Sequence, residues 1–246
     1  MTLTDRVAVV TGASRGIGLA CAEAFLDAGM HVYALARSTD DLEAHRERLG
    51  DRLHPVRCDV TDTASVDAAF AHIDEAAGRC DVLVNNAGLG KFGPVDALAL
   101  DDWHVQIETN LNGVFYCTRR AVPLMKRQFE ATSTDAAPGY GGHIVHIASV
   151  AGLVGNPTLA AYNATKFGLR GFAEATMKEL RPHGIRTTCV YPGSVDTHFG
   201  DVAGITMSPN AMKPEDIAAS VLHAVAMPVR TLVSEIVLRP LRVGRG

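Results

Sequence analysis

Tyr162 and Lys166 are the two residues of this sequence best placed for acid–base chemistry. They stand four positions apart in a segment whose pattern predicts a long helix over 159–181, so both side chains lie on one helix face, one turn apart. A free tyrosine has a pKa of about 10, too high for efficient proton exchange at neutral pH. Because a lysine ammonium stabilises a phenolate, we expect Lys166 to lower the pKa of Tyr162 and make it a general acid–base.

Ser149 is the residue that this pair would need as a partner. It ends a predicted strand over 143–149, at the edge where a parallel sheet presents groups to ligands. Its hydroxyl can hold a substrate oxygen while Tyr162 delivers the proton. His146, three residues earlier, is expected to pack within the sheet rather than to take part in catalysis. Any helix can carry a YxxxK pair, so the prediction depends on this combination.

A glycine-rich turn near the start of the chain has the composition of a phosphate-binding loop. Thr11-Gly-Ala-Ser-Arg-Gly-Ile-Gly18 follows a short apolar strand over 7–10 and precedes a helical pattern that Gly29 stops. The glycines allow a sharp turn close to a pyrophosphate, and the helix N-terminus offers unpaired N–H groups. The GxxxGxG spacing differs from the GxGxxG fingerprint, so its place between strand and helix favours a dinucleotide site over a merely tight loop.

The end of the second predicted strand, 32–36, determines which dinucleotide is preferred. An acidic residue there would bond the ribose 2′-hydroxyl of NAD. Instead the strand ends in Ala36, followed by Arg37 and Ser38. No carboxylate repels a 2′-phosphate, and Arg37 is able to clamp one, with Arg15 of the glycine turn as a second positive charge. The alternative for Arg37 is a solvated loop charge. The sequence therefore predicts NADP(H).

Two further strand ends carry polar or small residues. Asp59-Val60 closes the third strand, where Asp59 is placed either to bond an adenine amino group or to cap a turn. Asn85-Asn86-Ala87-Gly88 follows the fourth strand, and its asparagines can satisfy backbone groups at a strand end.

Strand and helix patterns alternate along the whole chain. Further strands are predicted over 53–58, 81–84, 185–191 and 232–238, and further helices over 40–49, from Thr61 or Asp62 to 76, over 101–129 and from about 214. Short apolar strands alternating with helices predict a buried parallel sheet with helices on both faces. No linker or repeat divides the chain. The polar, glycine-rich stretch 131–142 is predicted to be a surface loop.

Composition excludes several classes of function. The 246 residues fit one large α/β domain, and a formal net charge of −4 gives no attraction for nucleic acid or anionic membrane. Five cysteines without a CxxC pair indicate reduced thiols of a cytoplasmic protein. Ten scattered histidines predict no metal site. No apolar run approaches a membrane span, so a small-molecule partner is expected.

Taken together, these motifs resemble those of the classical short-chain dehydrogenases/reductases. The resemblance runs from the first strand to about residue 200 and rests on five motifs in order, namely Thr11–Gly18, Asn85-Asn86-Ala87-Gly88 with Asn110, Ser149, Tyr162-Asn-Ala-Thr-Lys166, and Pro192-Gly193. It implies a single Rossmann-like domain with a seven-stranded doubly wound sheet, in which residues 1–130 bind the cofactor and 131–240 carry catalysis and substrate. It also implies a homotetramer, paired through the helices over 101–129 and 159–181.

The resemblance also implies a role for each residue of the site. Tyr162 would be the acid–base, Ser149 would orient the substrate, Lys166 would also bind the nicotinamide ribose, and Asn110 would hold a water in a proton relay. The cofactor would contact Gly12, Ser14, Arg15, Gly16, Ile17, Gly18, Arg37, Ser38, Asp59, Val60, Asn86, Ala87, Gly88, Tyr162, Lys166, Pro192, Gly193, Val195 and Thr197.

The C-terminal segment departs from the commonest pattern of the family. It lacks a Gly-Gly near the end, and residues 233–240 resemble the branch that acts on hydroxy amino acids and on assorted small alcohols and carbonyls. The main prediction is thus an NADP(H)-dependent carbonyl reductase or alcohol dehydrogenase whose substrate lies under the segment 194–213. The alternatives are a 3-oxoacyl-thioester reductase, an isomerase or dehydratase, and a protein that senses NADP(H) without turnover.

Overall fold

Seven parallel strands form one sheet in the order β3-β2-β1-β4-β5-β6-β7. The computed structural model describes residues 2–134, 139–197, 199 and 209–242. The strands are β1 Val7–Thr11, β2 His31–Ala36, β3 Leu53–Arg57, β4 Val82–Asn85, β5 Gly142–Ile147, β6 Ile185–Pro192 and β7 Glu235–Leu238. This confirms the predicted Rossmann-like α/β fold, with a single parallel sheet.

Helices connect the strands and cover both faces of the sheet. They are α1 Gly16–Asp27, α2 Asp40–Leu49, α3 Thr63–Ala77, α4 Leu100–Ile107, α5 Gly113–Thr132, α6 Ala160–Leu180 and α7 Pro214–Ala226. Apolar side chains of α1, α2 and α7 pack on one face of the sheet, and those of α3, α5 and α6 pack on the other. The inner strands are buried on both faces, which explains their continuous apolar runs.

The predicted helix over 101–129 is present as one helical run over 100–132. A π-helical turn, Glu108–Asn112, separates α4 from α5. The sequence pattern could not reveal this turn, because the side chains that are buried there, Gln106 and Asn110, are polar and give no apolar periodicity. The predicted cap at the start of α3 is present. The Asp62 carboxylate accepts a hydrogen bond from the Ala64 backbone N–H at 2.9 Å and caps the helix.

The stretch 131–142 is not simply a surface loop. Helix α5 continues to Thr132 and β5 begins at Gly142. Between them Tyr140 packs against two guanidinium groups, those of Arg6 and Arg186, 5.0 and 5.4 Å from its ring centre. Residues 135–138 lie outside the described part.

The described residues contain no disulfide, no membrane-spanning helix and no metal site. All five cysteines are free and buried. Within the described ranges no helix is long and apolar enough to cross a bilayer, and no group of histidine, cysteine or acidic side chains has the arrangement of a metal site.

Candidate active site

A cavity of about 600 Å³ opens at the carboxyl ends of the strands, where the chain order reverses between β1 and β4. Open α/β sheets bind ligands at this topological switch point. The predicted residues that line the cavity are Gly12, Ser14, Arg15, Gly16, Ile17, Arg37, Asp59, Val60, Asn86, Ala87, Gly88, Ser149, Tyr162, Lys166, Pro192, Gly193, Val195 and Thr197. The fold therefore brings the glycine turn and the Ser–Tyr–Lys set into one space.

Three predicted residues do not line this cavity. Gly18 is buried behind the turn, where a Cβ would lie 2.3 Å from the Gly12 carbonyl oxygen, so its role is close packing of α1. The Ser38 hydroxyl accepts a hydrogen bond from the Asp40 backbone N–H at the start of α2. Asn110 is fully buried in the π turn.

The glycine turn has the geometry that a phosphate cradle requires. Gly12 and Gly16 have φ values of +63° and +58°, in the left-handed region that favours glycine. A Cβ on Gly12 would also approach the Ala87 Cα to 2.9 Å. Helix α1 begins at Gly16 with its first N–H groups unpaired within the helix. The absence of Cβ atoms and the presence of a helix N-terminus fit a dinucleotide pyrophosphate.

Thr11 and Asn86 join the glycine turn to the end of β4. The Thr11 hydroxyl accepts from the backbone N–H groups of Asn86 and Ala87, both at 3.0 Å. The Asn86 amide donates in return to the carbonyls of Thr11 and Gly12. Asn86 therefore satisfies backbone groups, the structural alternative considered from the sequence, while its neighbours form the cavity wall.

The end of the cavity beside β2 and β3, where the sequence predicts the adenosine, carries three charged side chains. Arg15 and Arg37 are exposed beside it. One oxygen of the Asp59 carboxylate accepts from the backbone N–H and the hydroxyl of Thr61 at 3.0 and 2.8 Å, so Asp59 caps a turn. Sequence reasoning missed His45, which reaches from α2 to the Ser14 carbonyl oxygen at 3.2 Å.

Ser149 lies just after β5 rather than within it. Its extended backbone precedes a short 3₁₀ turn, Val150–Gly152, and its hydroxyl oxygen accepts from the Ala151 N–H at 3.1 Å. The hydroxyl also donates to the Pro192 carbonyl at the end of β6, at 3.5 Å, and the side chain faces the cavity. The predicted strand end was two residues too late.

Tyr162 and Lys166 are both buried in the first two turns of α6. The Lys166 Nζ donates to the Ile147 carbonyl oxygen at 3.0 Å and lies 5.6 Å from the centre of the Tyr162 ring. Burial lowers the pKa of Lys166 to about 8. The expected i, i+4 geometry is therefore present.

The prediction that Lys166 lowers the pKa of Tyr162 is wrong for this state of the protein. Burial raises the pKa of Tyr162 to about 12, and the neighbouring Ser149 hydroxyl opposes this rise only in part. Desolvation of the phenolate is the dominant cause, and the Lys166 ammonium is directed to the Ile147 backbone carbonyl. Tyr162 is consequently a protonated phenol at neutral pH.

Asn110 holds the loop that follows β4. Its amide nitrogen donates to the Leu89 carbonyl and the Thr165 hydroxyl, and its amide oxygen accepts from the Leu89 N–H at 2.9 Å. A Cβ on Gly88 would lie between the Asn110 oxygen, at 3.2 Å, and the Lys166 Nζ, at 3.7 Å. The π turn thus places the Asn110 side chain near the Lys166 ammonium, with Gly88 between them.

His146 packs into the sheet as the sequence predicted. It is fully buried, and its Nδ1 accepts from the Asn85 amide at 3.2 Å. Burial lowers its pKa to about 3, so it is a neutral core residue at physiological pH.

Several residues of the cavity wall escaped the sequence analysis. They are Leu89, Phe92, Val105, Thr109, Ala151, Asn156 and Leu159, from the loop after β4, from α4 and the π turn, and from the segment before α6. Phe199 was predicted to cover the substrate and does line the cavity, whereas Val202, Ile205 and Met207 lie outside the described residues. No spacing rule links these positions, because separate loops supply them.

Comparison with known proteins identifies the family. The model of the short chain dehydrogenase family matches residues 6–204. The chain is 36% identical to a sepiapterin reductase of Chlorobaculum tepidum, over 95% of this chain and 96% of that one. An alcohol dehydrogenase of the archaeon Thermococcus sibiricus, solved with 5-hydroxy-NADP, is 32% identical and superposes with a TM-score of 0.85 over 96% of this chain and 97% of that one.

A second solved structure is similar at lower identity. The 3-ketoacyl-(acyl-carrier-protein) reductase of Brucella melitensis, solved with NADH, is 27% identical with a TM-score of 0.87 over 98% of this chain and 99% of that one. The family model covers most of the chain, and the relatives match it almost end to end. This chain is therefore an oxidoreductase that belongs to the short chain dehydrogenase family.

Proposed function

We propose that this protein transfers a hydride between NADP(H) and the carbonyl or secondary alcohol carbon of a small molecule. The observation that carries the proposal is the meeting of Ser149, Tyr162 and Lys166 with the glycine turn in one cavity. A protein that only senses NADP(H) needs no buried tyrosine and lysine at the ligand. A homotetramer in the cytoplasm remains part of the proposal.

The bound nicotinamide would supply the hydride, and the chain would supply binding, orientation and the proton. The Ser149 hydroxyl orients the substrate oxygen towards Tyr162. Tyr162 is a protonated phenol at neutral pH and would donate its proton to the carbonyl oxygen as negative charge develops there. Lys166 places a positive charge beside the phenolate that forms. Asn110 holds this region in place and would support the relay that returns a proton to Lys166.

The first test removes the proposed proton donor. Tyr162→Phe should bind NADPH as tightly as the natural protein yet lose about 10²–10⁴-fold in kcat, the usual cost of removing a general acid. NADPH oxidation with a panel of ketones and aldehydes measures kcat, and fluorescence titration measures cofactor affinity. Nearly unchanged kcat on the best substrate would refute the role of Tyr162.

The same assay separates the alternative functions. Stoichiometric NADPH consumption excludes an isomerase or dehydratase, and turnover excludes a sensor. A 3-oxoacyl-thioester reductase would prefer a β-ketoacyl thioester to small ketones, which the panel includes.

The preference for NADP(H) rests on Arg37 and Arg15. Both flank the adenosine end of the cavity, and Ala36 presents no carboxylate there. A hydrogen bond to a charged group contributes about 1.5–3 kcal/mol. Two exposed, partly additive contacts should give roughly 2–4 kcal/mol, which is about a 30- to 1000-fold preference over NADH.

The double variant Ala36→Asp/Arg37→Ala should reverse this preference. Its carboxylate would accept from the ribose hydroxyls and repel a 2′-phosphate. The measurement is kcat/KM for NADPH and NADH in both proteins. An unchanged ratio in the variant would show that Arg37 is a bystander in solvent.

A further inference from the structure

Two phenylalanine rings enclose the ring of Tyr162 on the side of the cavity away from the glycine turn. The Phe92 ring meets Tyr162 edge to face, with centroids 5.6 Å apart, and the Phe199 ring lies 5.5 Å from it. Phe92 and Phe199 also contact each other at 6.3 Å. The proton donor is thus one member of an aromatic trio formed by Phe92, Tyr162 and Phe199.

Backbone hydrogen bonds on both sides hold Phe92 in this position. The buried amide of Gln106 accepts from the Lys91 N–H and donates to the Lys91 carbonyl, both at 3.1 Å. The Gly93 N–H donates to the Thr158 carbonyl at 2.9 Å. Thr158 has a φ of +65°, a left-handed conformation that is strained for threonine. The Phe92 ring is therefore preorganised.

Gly90 leaves the space that the two rings occupy. A Cβ at this position would come within 2.6 Å of the Phe199 Cζ and 2.8 Å of the Phe92 Cε1. Since real Cβ atoms do not approach other atoms so closely, a side chain at position 90 would displace the rings. The local sequence is thus suited to packing aromatic rings beside Tyr162.

The wall around the trio is otherwise mostly apolar and uncharged. Leu89, Val105, Ala151 and Leu159 supply apolar surface, and Thr109 and Asn156 supply neutral polar groups. The charged lining residues among those described are Arg15, Arg37 and Asp59 at the adenosine end and Lys166, whose ammonium bonds the Ile147 carbonyl. Apart from Lys166, none of the described residues around the trio offers a charged substrate group an ion-pair partner, so its desolvation would be costly.

We propose that the substrate is a neutral compound with an aromatic ring attached directly to the carbonyl or carbinol carbon. This inference rests on the proposed function and names the substrate class of that same site. With the substrate oxygen at Ser149 and Tyr162, a planar ring on the reacting carbon stacks against Phe92 and Phe199. Two aromatic contacts should favour an aryl over a saturated ring by about 5- to 100-fold.

The test compares acetophenone with cyclohexyl methyl ketone, which has the same number of non-hydrogen atoms. Conjugation makes acetophenone the less electrophilic ketone, so a higher kcat/KM for it must come from recognition. We expect the natural protein to prefer acetophenone by about 5-fold or more. Benzoylformamide should likewise exceed its anionic isostere benzoylformate by at least about 30-fold.

Two variants test whether the Phe92 ring causes the preference for acetophenone. Phe92→Leu removes the aromatic ring and should lower the acetophenone to cyclohexyl methyl ketone ratio by about 2- to 10-fold. Phe92→Tyr retains the ring and should keep the ratio. Because each protein is compared with itself, intrinsic reactivity and overall loss of activity cancel.

A binding measurement separates this inference from the proposed function. Calorimetric titration of benzamide and cyclohexanecarboxamide into the NADP⁺-saturated protein gives the same comparison without turnover. If benzamide binds more tightly than cyclohexanecarboxamide but the protein reduces neither ketone, the inference is supported and the proposed function is refuted. Equal kcat/KM for the two ketones, or a ratio that Phe92→Leu leaves unchanged, would refute the inference while leaving the function intact.

Discussion

Replacing Lys166 by methionine should stabilise the protein while it abolishes catalysis. The lysine is buried beside Tyr162, and burial lowers its pKa from 10.5 to about 8. Such a shift means that the folded state holds the charge at a cost, which a methionine of similar shape does not incur. Catalysis should fall at least about 100-fold, because the positive charge beside the phenolate is lost.

The magnitude follows from linkage between protonation and folding. A pKa difference of about 2.5, at 1.36 kcal/mol for each pH unit, corresponds to about 3 kcal/mol. The lost hydrogen bond to the Ile147 carbonyl, 3.0 Å long, offsets about 1 kcal/mol. We therefore expect Lys166→Met to raise the free energy of unfolding by about 1–3 kcal/mol at neutral pH, or the Tm by roughly 2–10 °C.

The pH dependence has a definite sign. The folded-state pKa lies below the unfolded one, so the penalty is complete below about pH 8, where lysine is charged in both states. As the pH rises towards 10.5, the folded lysine loses its proton first and the penalty fades. The advantage of the methionine variant should therefore shrink by about 2 kcal/mol between about pH 7 and pH 9.5.

Urea unfolding of both proteins at the two pH values measures this difference. Lys178→Met is the matched control, since Lys178 is an exposed lysine of the same helix paired with Glu174, and it should change the stability little at either pH. A Lys166→Met protein that is less stable at neutral pH, or equally shifted at both, would show that Lys166 is not a buried charge held at a cost.

Two further predictions concern packing and assembly. Gly18→Ala should cost about 1–3 kcal/mol of stability, because its Cβ would overlap the Gly12 carbonyl. Gly155→Ala, at an exposed position where a Cβ would meet no atom within 4 Å, should change the stability little. Urea unfolding compares the two variants, and equal effects would contradict the packing argument. Helices α5 and α6 expose Phe115 and Phe167, 48% and 42% accessible, so we expect a homotetramer. Light scattering at micromolar concentration that gave a single-chain mass, 26.1 kDa, would refute it.

The sequence predicted the elements whose signals are local. The apolar runs of β2 and β6 and the periodicity of α6 gave bounds within one residue of the structure, since propensity and periodicity are contained in the segment itself. The π turn between α4 and α5 was missed because the side chains that are buried there, Gln106 and Asn110, are polar and give no apolar periodicity.

For the candidate site, too, the sequence predicted the features whose signals are local and missed those that depend on distant residues. Gly12 and Tyr162 were found because a turn or a helix face fixes their geometry from neighbouring residues. The pKa of Tyr162 was predicted in the wrong direction because its burial is contributed by Phe92 and Phe199, far away in the chain. Desolvation sums over all surrounding atoms, and a YxxxK motif contains none of them.

The two ends of the cavity are built by different means, which suits the cofactor end and the substrate end of the proposed function. At the glycine turn, backbone groups and the absence of Cβ atoms shape the wall, and Thr11 and Asn86 fasten that backbone to the sheet. A substitution there disturbs the fold itself. Around Tyr162 the wall is made of side chains such as Phe92 and Leu159, carried on loops. A change in such a side chain alters what the cavity accepts without touching the strands, so one fixed proton donor can serve many substrates.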